Sequence, residues 1–198
     1  LANNKFQTSE VFHFCSPSTF LNIPKNLDEN KEYIIKPIGW TWWGNINLIS
    51  WKLLWQYELK KDYLIQEYLD LSIWIEGVVW WIHDVRFLVF NNSFFPKVFI
   101  RVPKEGDYRC NVSLWGAGFY LDIGLLPKEM TDIWEKIKNY ISKKYGWGYY
   151  SIDLWNTLEW PRLIELNSSP AFFLDDIKNR KNNDIFLQSL SDFICDIK

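Results

Sequence analysis

Tyr149-Tyr150-Ser151-Ile152-Asp153-Leu154 and, one polar turn later, Arg162-Leu163-Ile164-Glu165-Leu166-Asn167 are the two stretches whose reading decides the fold. Each is short, apolar at alternate positions and bounded by turn-forming residues, which predicts an antiparallel hairpin with Trp155 and Trp160 in its turn. Side chains two apart on a strand share a face, so Glu165 and Asn167 point the same way. If Asp153 on the facing strand has the same polarity, three oxygen-bearing groups converge. Hard oxygen donors in a chain with only 2 His suit magnesium, which prefers octahedral oxygen and commonly bridges to phosphates. On spacing alone there is a simpler reading, in which Asp153 and Asn167 satisfy strand ends and Glu165 faces solvent.

Working outward, Val85 to Phe90 and Pro96 to Arg101 form a second predicted hairpin about Asn91-Asn92-Ser93, with Arg86 and Arg101 each inside a strand. Tyr33-Ile34-Ile35-Lys36-Pro37 reads as a strand ended by proline, and Leu64 to Leu69 as another. Between them Gly39 to Asn47 reads as a loop. Pro127 opens a helix whose stripe is Met130, Ile133, Trp134, Ile137 and Ile141, with a Lys-rich solvated face opposite. Phe186, Leu190, Phe193, Ile194 and Ile197 mark a last amphipathic helix. Near the start, Phe6, Glu10 and Phe14 predict a short helix before Ser16-Pro17-Ser18. Strands and helices without regular βαβ alternation predict an α+β fold, antiparallel sheets covered by helices.

Composition excludes several classes. A chain of 198 residues, 48% hydrophobic and 23% charged, buries one substantial core or two smaller ones. A formal charge of -2 leaves no basic footprint for nucleic acid or an anionic membrane, so neither is an expected partner. No apolar run reaches the roughly 20 residues of a membrane span. Cys15, Cys110 and Cys195 are odd in number and far apart, which fits a reduced, cytoplasmic setting. The chain begins with Leu1 and has no charged-then-apolar leader, so it is expected to be part of a longer protein.

Lys36 beside a loop holding Gly39 and Gly44 places an ammonium near a possible phosphate cradle, although the Walker spacing is absent and a lysine closing an edge strand explains it as well. Arg86, Arg101 and Arg109 offer planar forks to phosphate or carboxylate, or ordinary surface ion pairs. Their order along the chain resembles the ATP-grasp superfamily from residue 3 to about residue 172, and within it the RimK-like carboxylate–amine ligases. The residues that carry the likeness are Asn4-Lys5, Tyr33 to Pro37, Gly39 to Asn47, Ile65-Gln66-Glu67-Tyr68-Leu69, Asp84-Val85-Arg86, Arg101 to Gly116, Ser151 to Leu154 and Ile164 to Pro170.

The resemblance implies two α+β lobes clasping ATP, about residues 25–69 and 70–198, and a ligase that activates a carboxylate as an acyl phosphate and joins it to an amine, an amino acid or a peptide tail. It implies that Lys5 and Lys36 bind phosphate oxygens and that the loop of Gly39 and Gly44 closes over them. Gln66, Glu67, Tyr68 and Leu69 would form the hinge against adenine, with backbone contacts at the Glu67 carbonyl and Leu69 amide. Asp153, Glu165 and Asn167 would hold two magnesium ions. Arg101 would stabilise the acyl phosphate and the tetrahedral oxyanion, and Arg86, Arg109 and Asn111 would position the carboxylate or the transferred phosphoryl. Lys36 and Arg101 are expected across a cleft from the carboxylates. A phosphotransferase acting on a hydroxyl and a nucleotide-binding module without turnover are the alternatives.

The sequence departs from the family in two respects. The domain that in the family precedes the entry lysine is not in this chain. There are also 13 Trp and 9 Gly, where average usage would place roughly 14 glycines. The indoles stand where the family has glycine: Trp40, Trp42 and Trp43 in the phosphate loop, then Trp80, Trp81, Trp115, Trp155 and Trp160. A bulky loop approaches phosphate poorly by its backbone. A UGA codon read as tryptophan where the source reads glycine would account for many of them, and predicts several of these indoles exposed or at turns. The alternative is a genuinely aromatic protein whose indoles pack in the core, as Trp134 would on its helix stripe.

Overall fold

The computed structural model describes residues 12–15, 23–38, 46–58, 62–69, 74–90, 93–110, 114, 116–146, 148–157, 160–168, 170 and 180–196. Its strands and helices run β1 (Phe12–Cys15), β2 (Glu32–Pro37), β3 (Asn47–Ser50), α1 (Trp51–Leu54), β4 (Tyr63–Glu67), β5 (Asp84–Phe90), β6 (Ser93–Val102), β7 (Ala117–Asp122), α2 (Lys128–Tyr145), β8 (Tyr149–Trp155), β9 (Arg162–Asn167) and α3 (Arg180–Asp196). The chain divides into two compact units between Leu69 and Asp70.

In the first unit the described strands form an antiparallel sheet ordered β1-β4-β2-β3. Alternation sends Tyr33, Ile35, Tyr63 and Ile65 to one face, where they pack with Leu27, Ile49 and Leu54. Lys36 and Gln66 lie on the other face, since Lys36 is opposite Leu64 and Gln66 opposite Ile34. β1 corrects the expected amino-terminal helix: Phe12 to Cys15 pair with Gln66 to Tyr63. Phe14 belongs to a ladder there, and the rest of the expected helix lies outside the described residues. β3 and α1 were not anticipated.

The second unit is built on an antiparallel sheet ordered β7-β6-β5-β8-β9 among the described residues. Every residue of β5 is buried, as suits a central strand covered on both faces. Val85, Phe87 and Val89 join Val98, Ile100, Ile152, Leu154 and Leu163 against α2, whose Met130, Trp134 and Ile137 are buried. The Trp134 indole stacks on Phe87 with centroids 5.2 Å apart, an anchor of the predicted helix stripe. Pro127 sits at the N-cap position of α2 and Gly146, with φ of 82°, ends it. The helix surface carries Lys128–Asp132 one turn apart at 2.7 Å.

The opposite face of this sheet has two zones. Around Leu88, Phe90 and Phe95 it is apolar and α3 covers it through Phe186. Toward the start of β5 and the end of β6 it is charged. Trp155 corrects its expected place in a turn, because it closes β8 opposite Arg162 and is buried. Trp80, Trp81 and Trp160 are exposed, at 54%, 76% and 49%. Trp40, Trp42, Trp43 and Trp115 lie outside the described residues. No helix among those residues is long and apolar enough to cross a membrane.

Candidate functional site

Register brings the charged zone together. Asp84 lies directly across from Arg101 on β6, Arg86 across from Asp153 on β8, and Asp153 across from Glu165 on β9. Ser151 is opposite both Leu88 and Asn167. Cross-strand partners share a face, and so do residues two apart, so Asp84, Arg86, Arg101, Ser151, Asp153, Glu165 and Asn167 all stand on one side of the sheet. A bulge between Asp153 and Leu154, with Ile164 as the extra residue, lets the strand serve a polar face and an apolar core at once.

Two bidentate forks result. Arg86 donates to Asp153 through Nε at 2.9 Å and Nη2 at 2.6 Å. Arg101 donates to Asp84 through Nε at 2.7 Å and Nη2 at 2.6 Å. A further bond of 2.9 Å from Arg101 Nη2 to Asp153 Oδ2 links the forks. Ser151 Oγ donates to Asp153 at 3.3 Å and Asn167 Nδ2 reaches it at 3.5 Å. All four charged side chains are at least nine-tenths buried, and their two positive and two negative charges cancel. Such groups remain ionised away from water only when paired and hydrogen-bonded in this way.

Burial pushes Asp84 up to about 6; Arg101 opposes the rise and the negative Asp153 adds to it. Burial also acts upward on Asp153, but Arg101 and Arg86 outweigh it and hold the carboxyl below its usual range. Arg101 loses basicity by burial and more than regains it from Asp84 and Asp153. The folded value of Asp84 therefore lies above the unfolded value of about 3.9. Between about pH 4 and pH 6 the native state keeps a proton that the unfolded chain releases. The contribution of Asp84 to stability is full below about pH 4 and is lost as the pH rises through 6. Carboxyl-carbon NMR is expected to show Asp84 titrating near pH 6 with Asp153 still ionised below about pH 4, and Asp84→Asn is expected to remove that loss of stability. An Asp84 midpoint below 4 would contradict the assignment.

Arg101 and Asp153 were expected on opposite sides of a cleft. The structure corrects this, placing them on one sheet face in direct contact. Arg109 lies outside the network, forked onto Asp107 through Nε at 3.0 Å and Nη2 at 2.7 Å. The guanidinium is the largest influence on Asp107 and holds it at about 2. In the other unit Lys36 Nζ donates to the buried Gln66 Oε1 at 2.7 Å, and Lys31 pairs with Glu67 at 2.7 Å. The Tyr68 N–H continues the ladder to the Glu32 carbonyl at 2.8 Å. Lys5, Gly39, Gly44 and Asn111 lie outside the described residues. Sequence reasoning missed Asp84 as a functional residue, although its place two before Arg86 in a strand was the available signal.

Asp153, Glu165 and Asn167 fit magnesium in atom type and in the face they share. The fit carries a condition. Asp153 already accepts from Arg86, Arg101, Ser151 and Asn167, which fills the roughly four lone-pair directions of a carboxylate. A metal there has to displace one of these donors, and the longest bonds are those from Ser151 and Asn167. Among the described residues no group of three His, Cys, Asp or Glu side chains stands close enough to hold an ion.

No protein-family model matches the chain, and no curated protein does. Solved structures do match. D-alanine–D-alanine ligase from Bacillus anthracis is 13% identical with a TM-score of 0.57, over 96% of this chain and 64% of that one. A RimK-domain ATP-grasp protein from Sphaerobacter thermophilus is 11% identical with a TM-score of 0.55, over 95% and 61%. The chain has the ATP-grasp fold. A third ATP-grasp structure is the Chryseobacterium gregarium RiPP-associated ligase, solved with ADP and a leader and core peptide, at 14% identity and a TM-score of 0.57, over 98% and 56%. The chain thus spans between 56% and 64% of the length of these neighbours. Its α+β class and antiparallel sheets are those the sequence predicted.

Proposed function

We propose that this chain is the ATP-binding and catalytic portion of a carboxylate–amine ligase. The observation that carries the reading is Arg101, set on a dry sheet face of an ATP-grasp fold with two edges of its guanidinium held. Nε and Nη2 are committed to Asp84 and Asp153, whereas Nη1 makes no hydrogen bond among the described residues. A fixed cation with an uncommitted donor edge suits an oxygen that gains negative charge during reaction. The ligases among the structural neighbours support the same reading.

In this reading a substrate carboxylate oxygen attacks the γ-phosphorus of ATP, the bond to the β,γ-bridging oxygen breaks, and ADP leaves. The amine nitrogen then attacks the acyl carbon, phosphate departs with the bonding pair, and the surplus amine proton passes to solvent. Arg101 holds the acyl phosphate and the oxyanion of the second step. Arg86 balances Asp153 and orients the carboxylate. Lys36, steadied by Gln66, and Lys5 bind phosphate oxygens, with the loop of Gly39 and Gly44 over them and adenine at the hinge of Gln66 to Leu69. Asp153, Glu165 and Asn167 would hold magnesium, which would supply charge neutralisation for the phosphates. No side chain acts as nucleophile, so rate comes from positioning and fixed charge.

The test is ADP release by the longest native form of the protein against a panel of amino acids and peptides. Release that depends on an amine acceptor, with an amide product, supports the reading. ADP release accompanied by phosphorylation of a hydroxyl instead would replace it with phosphotransfer.

A further inference from the structure

We propose that Asp84 is the positioning residue of Arg101, holding its guanidinium in a fixed place and plane. This rests on the ligase reading for its consequence and on the geometry for its substance. The two arginines differ in what holds them. The bidentate partner of Arg86 is Asp153, an expected metal ligand whose lone pairs are already filled. The bidentate partner of Arg101 is Asp84, which has no place in the expected ligand set. The bond from Arg101 to Asp153 is a single one, through an Nη2 that also serves Asp84.

A change at Asp153 therefore leaves both bonds between Arg101 and Asp84 in place, while it removes the two bonds that Arg86 makes to that carboxylate. The fork fixes the guanidinium plane as well as its place, because two parallel N–H···O bonds allow no rotation about the side-chain axis. Asp84 is itself set by the ladder, directly opposite Arg101 at the start of β5 and 7% exposed. With Nε and Nη2 held, the direction of the Nη1 edge is determined. A cation stabilises developing charge best when it needs no reorganisation, which is what this carboxylate provides.

The test uses Asp84→Asn, Arg101→Lys and the double variant in the full chain. With an acceptor from the amino-acid panel, Asp84→Asn is expected to lower kcat 10- to 100-fold, the range for removing a partner that orients a functional group, with KM for ATP within about twofold of wild type. The double variant is expected to be no slower than Arg101→Lys alone. Multiplicative losses in the double variant, or unchanged kcat in Asp84→Asn, would overturn the proposal. A readout free of the reaction is arginine side-chain 15N NMR. In the wild type the Arg101 Nε–H should exchange slowly, with distinct Nη signals. Asp84→Asn should abolish both while the Arg86 Nε–H persists. If no acceptor supports ADP release the ligase reading fails, and the NMR result alone decides the proposal: an Arg101 signal unchanged by Asp84→Asn overturns it.

Discussion

Asp153→Ala is expected to destabilise the protein by roughly 3–5 kcal/mol, the usual cost of removing one partner from a buried ion pair. The size follows from what is left behind. Asp153 is 1% exposed and Arg86 and Arg101 are 8% and 7% exposed, so losing the carboxylate removes one of the two negative charges that balance two guanidiniums largely shielded from water. Arg86 would lose both of its forked bonds, and Arg101 one of three. Asp153→Asn keeps an acceptor but not the charge, and should fall between wild type and Asp153→Ala. Urea unfolding followed by tryptophan fluorescence measures the loss, since Trp134 reports on the core beneath the same sheet. A loss under about 1 kcal/mol would mean that the guanidiniums find other partners and that the face is not dry.

The sign of the pH dependence follows from the same carboxylate. Its folded pKa is depressed, by Arg101 and Arg86 against the upward pull of burial. Such a group contributes stability above its unfolded value of about 3.9, and the contribution is lost as the pH falls toward the folded value. Asp84 acts in the opposite direction between about pH 4 and 6. Acid therefore first relieves Asp84 and only later removes the anchor at Asp153.

What the sequence made legible was the part governed by local rules. Alternation in Tyr149 to Leu154 and Arg162 to Asn167 predicted the hairpin, and the register confirmed it within a residue. The stripe of Met130, Trp134 and Ile137 was readable because helical periodicity survives in a single face. The β1 strand was not readable. Phe12 to Cys15 owes its state to pairing with β4, about fifty residues away, and a helix-like spacing of three residues is too short a pattern to outweigh a ladder. β7, Ala117–Asp122, was missed for a related reason: it is an edge strand whose half-exposed faces give weak alternation.

The candidate site divides in the same way. That Glu165 and Asn167 share a face was fixed by the period of two. That Asp153 opposes Glu165 depended on the register of the hairpin, and that Arg86 and Arg101 fork onto two different aspartates depended on the registers of two further strand pairs. No spacing within one strand contains that information. The tryptophans illustrate the limit from another side: Trp155 reads like the other indoles near turns in sequence, yet it ends a buried strand, while Trp81 is 76% exposed.

Glu165→Gln should leave the fold intact and remove turnover. Of the two expected carboxylate ligands, Asp153 is bound into the ion network that stabilises the sheet, so any change there mixes stability with function. Glu165 sits opposite it in register but is half-buried, and the substitution alters one oxygen and one charge without changing volume. Stability within about 0.5 kcal/mol of wild type is expected for such a partly solvated position. Magnesium-dependent ADP release should fall on the order of 100-fold or more, the scale seen when one preorganised electrostatic contact to a reacting group is removed. Binding of Mn2+ in the presence of a non-hydrolysable ATP analogue, followed by electron paramagnetic resonance, should weaken in parallel. Raising the magnesium concentration should then recover part of the lost rate, because a weakened ligand set is refilled by mass action, whereas a residue acting on the substrate alone would show no such recovery. Normal turnover in Glu165→Gln, with unchanged Mn2+ binding, would remove Glu165 from the ligand set and leave Asp153 to be explained wholly as the counter-ion of two arginines.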